Sequence, residues 1–251
     1  MALFTMGDLH LSFSVDKPMD IFGIAWKNHV QVLEANWKAK VGNDDTVVLV
    51  GDHSWALKPE DAVSDLTFIH QLPGRKILMK GNHDLWWPTA RKLGQLCEAY
   101  GLTTLSFLQG DACVVTDGLG VGHDAVICGT RGWLCPGDRE FTQQDQGIYR
   151  REGMRLESAL KAADKQIARL QETGRQGTIL GFMHYPPFGS GSDATIFTQL
   201  FSAYGVHRVY YGHLHGIRRG EAKQNFESQV QYQLVSGDYI GFDPICIGLN
   251  D

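Results

Sequence analysis

Thiols are scarce in this 251-residue chain, and they follow no pairing pattern. The five cysteines, Cys97, Cys113, Cys128, Cys135 and Cys246, are odd in number and show no CxxC spacing. That argues against a disulfide framework and against a Cys-rich zinc site, and each thiol reads as a small buried apolar residue in a reducing compartment. No apolar run is long enough to span a membrane. Positive charge is not in excess either: 23 Lys and Arg stand against 28 Asp and Glu, a formal net charge of −5, with no Lys/Arg-rich segment. Nothing in that balance advertises for nucleic acid or an anionic membrane, although a metal centre could supply local positive charge. Internal repeats, low-complexity tracts and Pro/Ser-rich linkers are missing too, so a single domain over residues 1–251 is expected. A secretory leader would take roughly the first 15–30 residues. It would remove Asp8 and His10, argued below to be metal ligands, so a cytoplasmic location is expected.

What the chain does contain is a globular composition, 43% hydrophobic and 20% charged, enough for a large core. Short β-branched apolar runs read as strands at Ala2–Met6, Thr46–Val50, Lys76–Lys80, Cys113–Thr116, Ala125–Cys128, Thr178–Met183, Arg208–Tyr211 and Val230–Val235. Helical stripes lie between several of them: Leu33, Trp37 and Val41; Ala62, Leu66 and Ile69 after Pro59; Leu93, Leu96, Cys97 and Tyr100 before Gly101. The clearest has Leu156, Leu160, Ala163, Ile167 and Leu170 on one face. The Gly-rich stretch from Thr104 to Cys128 is strand-like with no helix, and Leu134 to Arg150 reads as a polar loop. A mixed α/β architecture follows, with two packed sheets and helices outside.

The polar residues of interest are grouped, and each group follows a strand. LFTM runs into Gly-Asp8-Leu-His10, VVLV into Gly-Asp52, ILMK into Gly-Asn82-His83-Asp84, ILGFM into His184, and RVYY into Gly-His213-Leu-His215. The carboxyl ends of strands are where open α/β sheets bind ligands. Residues i and i+2 of an extended segment share a side, so Asp8 with His10 and His213 with His215 can each serve one centre. Gly7, Gly51, Gly81 and Gly212 precede four of the five groups, where a sharp turn or close approach to an ion is needed. Carboxylate, imidazole and amide oxygen without thiolate suit Mn, Fe, Zn or Ni. A lone DxH or His carries little; GNHD and GHLH are sharper, and the five in order at strand ends make a site.

That order, Asp-x-His, Gly-Asp, Gly-Asn-His-Asp, His and Gly-His-x-His, resembles the calcineurin-like metallophosphoesterase superfamily from Gly7 to His215. The flanks GDHSWA, GNHDLWW, TRGW, MHYPP and YGHLHG look like a bacterial-type branch of predicted phosphohydrolases within it. The resemblance implies a four-layer α-β-β-α sandwich with a dinuclear metal site at the strand C-terminal ends. By it, one metal takes Asp8, His10, Asp52 and His215, the other takes Asp52, Asn82, His184 and His213, and Asp52 bridges. His83 is then no ligand and lies near the leaving-group oxygen. Two cations about 3.5–4 Å apart can hold a bridging hydroxide and the phosphate oxygens, which makes hydrolysis of a phosphate ester the expected reaction. Many members carry a second Asp three positions after the bridging one. Here that position is Trp55, which leaves Asp84 or a more distant carboxylate to orient His83, or else a weaker role for that histidine than in the family. His53 reads as a histidine in an apolar position.

Arg131 and Trp133 follow a strand as the ligands do, and Tyr185 follows His184. An Arg could grip a phosphate and a Trp could stack on a base. Trp86 and Trp87 read equally as a binding wall or as core. His123-Asp124 is structural, and His29, His70 and His207 read as surface residues. A small-molecule phosphodiester is the expected substrate, because few cations lie near the ligands and Lys80 points away inside its strand, whereas a monoester dianion would need more. A nuclease, a phosphomonoesterase and a low-turnover metal-dependent binding protein are the alternatives. Acidic charge disfavours nucleic acid, and a complete ligand set disfavours the binding protein.

Overall fold

The apolar runs that end on the candidate ligands become central strands of two sheets. The computed structural model describes residues 1–190, 193–222 and 230–249. Leu3–Met6 (β1), Thr46–Leu49 (β2), Arg75–Met79 (β3) and Leu105–Leu108 (β4) form one parallel set, and Ala112–Val115 (β5), His123–Thr130 (β6), Gln176–Met183 (β7), Arg208–Tyr211 (β8) and Gln231–Leu234 (β9) form a second sheet. Ile245–Ile247 (β10) returns to the free edge of β1, giving orders β10-β1-β2-β3-β4 and β5-β6-β7-β8-β9. Only the outer strands β10 and β5 are antiparallel to their neighbours. β1, β2 and β8 are buried at every residue. This is why they read as unbroken apolar runs without polar alternation.

Alternate residues of these strands serve two cores. Leu3, Val48, Val50, Ile77 and Met79 of the first sheet meet Ile127, Leu180, Phe182 and Tyr210 of the second. On the outer face of the first sheet, Phe4, Val47, Leu49 and Leu78 pack under the helices His29–Lys40 (α1), Val63–Gln71 (α2) and Ala90–Tyr100 (α3), through Leu33, Trp37, Leu66, Ile69 and Leu93. On the outer face of the second, Val126, Cys128, Val209 and Tyr211 lie under Asp145–Glu172 (α4) and Ile196–Ala203 (α5), through Leu156, Leu160, Ala163, Phe197 and Phe201. A short helix, Gly237–Ile240 (α6), follows β9. The layers are α-β-β-α, as expected. Each large apolar side chain so buried contributes about 1.5–3 kcal/mol.

Several expectations need correction. α4 begins at Asp145, inside the stretch read as a loop. Its buried face there is Tyr149, Glu152 and Gly153, so no apolar stripe marks it. α5 was not singled out, although Thr195 and Thr198 form a capping box at its start. β4 and β10 were not singled out, and β10 is only three residues long at an edge. Cys246 on β10 is exposed, and Cys97 and Cys113 are half-buried. His29 is buried between Trp26 and Phe242 instead of facing solvent. Among the described residues no helix is long and apolar enough to cross a membrane.

Backbone bonds sew the two sheets together at the strand ends that matter. Gly7 donates to Val235 O and Gly237 donates to Gly7 O, which ties the end of β1 to the end of β9. Asp8 N bonds Gly51 O and His10 N bonds Asp52 O, locking the loop after β1 to the loop after β2. Five strand ends from both sheets thus converge on one rim.

Candidate metal centre

At that rim the side chains form two groups that share one carboxylate. In the first, His215 Nε2 lies 3.3 Å from His10 Nε2 and 3.6 Å from Asp8 Oδ1, and His10 Nε2 lies 3.8 Å from Asp52 Oδ2. In the second, Asn82 Oδ1 lies 2.6 Å from His184 Nε2 and 2.8 Å from His213 Nδ1, with Asp52 Oδ2 3.4 Å from His184 Nε2. Asp8, His10 and His215 could hold one ion, and so could Asp8, Asp52 and His184. The ring of His184 decides its allegiance. Its Nδ1 is turned to Val50 O at 2.9 Å, and Nε2 is left facing Asn82 and Asp52. His184 therefore belongs with Asn82 and His213.

Asp52 carries the strongest sign of a missing partner. Its Oδ1 accepts from His83 N at 2.7 Å, but its buried Oδ2 accepts no hydrogen bond. A carboxylate oxygen that is out of water and between two imidazole groups fits a cation in that place. The titrating groups around Asp52 shift accordingly. Burial pushes the Asp8 carboxyl up to about 6. Burial would lower His184, but the Asp52 and Asp8 carboxylates outweigh it and raise the ring to about 9. Burial would raise Asp52, and the His184 charge beside it instead holds it well below the ordinary range. His213 is pushed down to about 3 by burial and by its neighbour His184, and so presents a neutral ring.

The local backbone is strained where these groups sit. Asp8, His10, Asp52 and His213 have φ of 57°, 45°, 53° and 72°. Left-handed backbone costs a non-glycine residue on the order of 1–3 kcal/mol and concentrates at functional sites. Asp8 and His10 therefore converge through two left-handed residues in a loop, and not by the period-two geometry of an extended strand. Gly51, at φ 97°, also passes within van der Waals contact of Gly81. A Cβ on it would meet His184 Nδ1 at 2.6 Å and Gly81 Cα at 2.7 Å. The glycines before the ligands let loops from both sheets close on one point.

The other residues singled out fall as follows. Asp84 is fully buried, and both its oxygens are engaged. It accepts from Asp52 N (2.9 Å), His53 N (2.8 Å), Ser54 N (3.3 Å), Gly81 N (2.8 Å) and Trp86 Nε1 (3.0 Å). None of those donors is the His83 ring, so Asp84 is a strut between the β2 and β3 loops. The half-buried His83 ring rests on Trp55, with centroids 4.3 Å apart, and Trp55 also stacks on His10 at 5.0 Å. His53 is buried with Nε2 2.8 Å from Met79 O, as an interior histidine. Trp86 and Trp87 are buried and belong to the helix-side core, with Trp87 also reaching a cleft wall. Arg131, Trp133 and Tyr185 form a ladder that ends on the site. The Arg131 guanidinium lies 4.6 Å over Trp133, Trp133 lies 5.3 Å from Tyr185, and Tyr185 lies 4.1 Å from His213. Lys80 lines a cleft with Arg131, and no candidate ligand lines that cleft.

One residue was missed. Asp238 in α6 takes His215 Nδ1 at 2.9 Å and Gly216 N at 2.9 Å, fixing the ring so that Nε2 faces the site. A carboxylate behind a ligating histidine is a common support, but it lies 23 residues downstream and no local pattern announces it. Asp238→Asn is expected to weaken metal affinity about 10–100-fold while the fold is kept. Titration of stripped protein with Mn checks this, and unchanged affinity would sink the assignment.

A model of the calcineurin-like phosphoesterases matches residues 1–216. The chain belongs to that family. Its members are hydrolases acting on phosphate esters. Gene 66 protein of Mycobacterium phage L5 is 36% identical over 95 residues, which are 37% of this chain and 44% of that relative; the match thus spans less than half of it. Two solved structures share the fold at low identity. The protein of unknown function AQ665 from Aquifex aeolicus has a TM-score of 0.52 at 14% identity, covering 97% of this chain and 94% of its own. Phosphopantetheinyl hydrolase (PptH) from Mycobacterium tuberculosis has a TM-score of 0.54 at 16% identity, covering 100% and 96%.

Proposed function

We propose that residues 1–251 act as one metallophosphoesterase domain that hydrolyses a phosphodiester of a small molecule. The observation that supports this most is the buried, unpaired Asp52 Oδ2 between two donor groups. Asp8, His10, Asp52 and His215 would hold one divalent ion, and Asp52, Asn82, His184 and His213 the other; Mn, Fe, Zn and Ni all suit the donors. When bound, such ions lower the pKa of water and offset charge on phosphate oxygens. The side chains do the rest. Val50 O and Asp238 set the ring orientations of His184 and His215. His83, outside the proposed ligand set, would deliver a proton to the departing oxygen. Arg131 offers a planar fork to a phosphoryl oxygen, and Trp133 and Tyr185 give one ester substituent a flat, water-excluding surface.

With Mn, and then with Zn or Ni, hydrolysis of an aryl phosphodiester is expected to exceed that of the matching monoester. A monoester preference under every metal would overturn the substrate class. Trp133→Ala is expected to raise KM for the diester several-fold, and an unchanged KM would remove the stacking role.

A further inference from the structure

Beside the metal centre lies an open cleft of about 840 Å³, and its charge runs against that of the chain. It lies between the carboxyl ends of β3, β4 and β6 and the first turns of α4. Four cations line it, Lys80, Arg131, Arg151 and Arg155, against one carboxylate, Glu152. The whole protein is at −5. Glu152 is not free to neutralise the group. It is buried, accepts from Thr130 Oγ1, and already faces Arg155 Nη1 at 2.5 Å and Arg131 Nη2 at 3.6 Å. The buried Nε of Arg131 has no hydrogen-bond partner, and Arg151 is exposed on the cleft wall. Four cations lining one cleft, only Arg131 and Arg155 of them paired to Glu152, repel each other unless an anion joins them. No candidate ligand lines the cleft, but two of its cations adjoin the centre: Lys80 is two positions before Asn82, and Arg131 begins the ladder of rings that ends on His213.

We infer that this cleft is a specificity subsite for a second phosphoryl group, carried on an ester arm of the substrate being cleaved. Arginine forks bind phosphate oxygens two at a time, which suits Arg151 and Arg155 on one helix face facing Arg131 across the cleft. The volume accommodates a nucleoside-sized arm. The assignment rests on the phosphoester reading above and adds what the enzyme selects.

The test compares two aryl esters on the metal-loaded enzyme: the p-nitrophenyl ester of thymidine 5′-phosphate, and the same ester bearing a 3′-phosphate. The phosphorylated ester is expected to show at least about tenfold higher kcat/KM, mostly through KM. Arg151→Ala with Arg155→Ala should erase that preference and leave the unphosphorylated ester within about twofold of wild type. Equal kcat/KM for the two esters in wild type, or a preference that survives in the double variant, would overturn the subsite. Calorimetry separates this failure from failure of the diesterase reading. Should neither ester be cleaved, adenosine 3′,5′-bisphosphate must still bind the loaded wild type about tenfold more tightly than adenosine 5′-phosphate, and the double variant must not discriminate. A bisphosphate that binds no better than the monophosphate, or an oligonucleotide that binds more tightly than either, overturns the assignment.

Discussion

Asp52→Asn is expected to strip metal from both positions and to cut phosphoester hydrolysis by at least about 10³-fold. Asp52 reaches both His10 and His184 through one oxygen, at 3.8 and 3.4 Å, closer than Asp8, whose Oδ1 lies 4.0 Å from each ring. The amide keeps the shape but removes the charge, so each ion loses its shared anion. Several kcal/mol of lost charge stabilisation is about three decades in rate. Elemental analysis of protein purified without chelator should find near two equivalents in wild type, since the seven donors exceed what one ion accepts. Asp52→Asn should bind neither ion. A variant that keeps one equivalent would mean that Asp52 serves a single ion. The same assay has a pH limb. His184, raised to about 9, and Asp8, pushed up to about 6, must both lose a proton to ligate, so metal affinity is expected to fall progressively as pH drops from about 9 through 6. In the metal-free protein the sign reverses. A raised carboxyl pKa favours the neutral form in the fold, so Asp8 contributes stability in acid and loses that contribution as pH rises through about 6.

The ligand positions were legible because each follows an apolar strand, and a strand buried on both faces leaves an unmistakable run in the sequence. Leu3–Met6, Thr46–Leu49 and Arg208–Tyr211 are of this kind, and the motifs lie directly behind them. How the ligands converge was not legible. Alternation along a strand was the wrong geometry, because the turn is made by left-handed Asp8, His10, Asp52 and His213, whose backbone is held by bonds to another strand's loop. Partners far apart in sequence were also beyond reach. Asp238 supports His215, and the cleft brings Lys80, Arg131, Arg151 and Arg155 together from three elements. That last assembly weakens the charge argument used for a diester. The cations line a cleft that contains none of the candidate ligands, and the second-phosphoryl proposal rests on that separation. Asp84 was one of the carboxylates offered to orient His83, and its oxygens are taken up elsewhere. A carboxylate with four backbone donors and an indole has no capacity left to orient a ring.

His83→Ala is expected to slow hydrolysis about 10²–10⁴-fold with metal content unchanged. The argument is one of placement without ligation. His83 N is tied to Asp52 Oδ1 at 2.7 Å, so the residue is anchored to the bridging carboxylate through its backbone while its ring stays out of both donor groups. Where relatives of this type offer a carboxylate to the ring, this chain offers the face of Trp55 at 4.3 Å. An indole face positions an imidazole but does not stabilise its protonated form as a carboxylate would. Burial already lowers the His83 pKa, and the Asp52 charge only partly opposes this. The ring is therefore protonated only below the ordinary histidine range. With metal kept saturating, the wild-type to His83→Ala rate ratio should be greatest on the acid side and shrink as pH rises. An ester with a poor alkoxide leaving group should show a larger ratio than a nitrophenyl ester, which leaves without a proton. A Trp55→Ala change should lower kcat more than it alters KM, since the indole holds the ring and touches no substrate group. Loss of metal in His83→Ala would make it a ligand. Equal rates for wild type and variant on the alkyl ester across the pH range would remove the proton-donor role altogether.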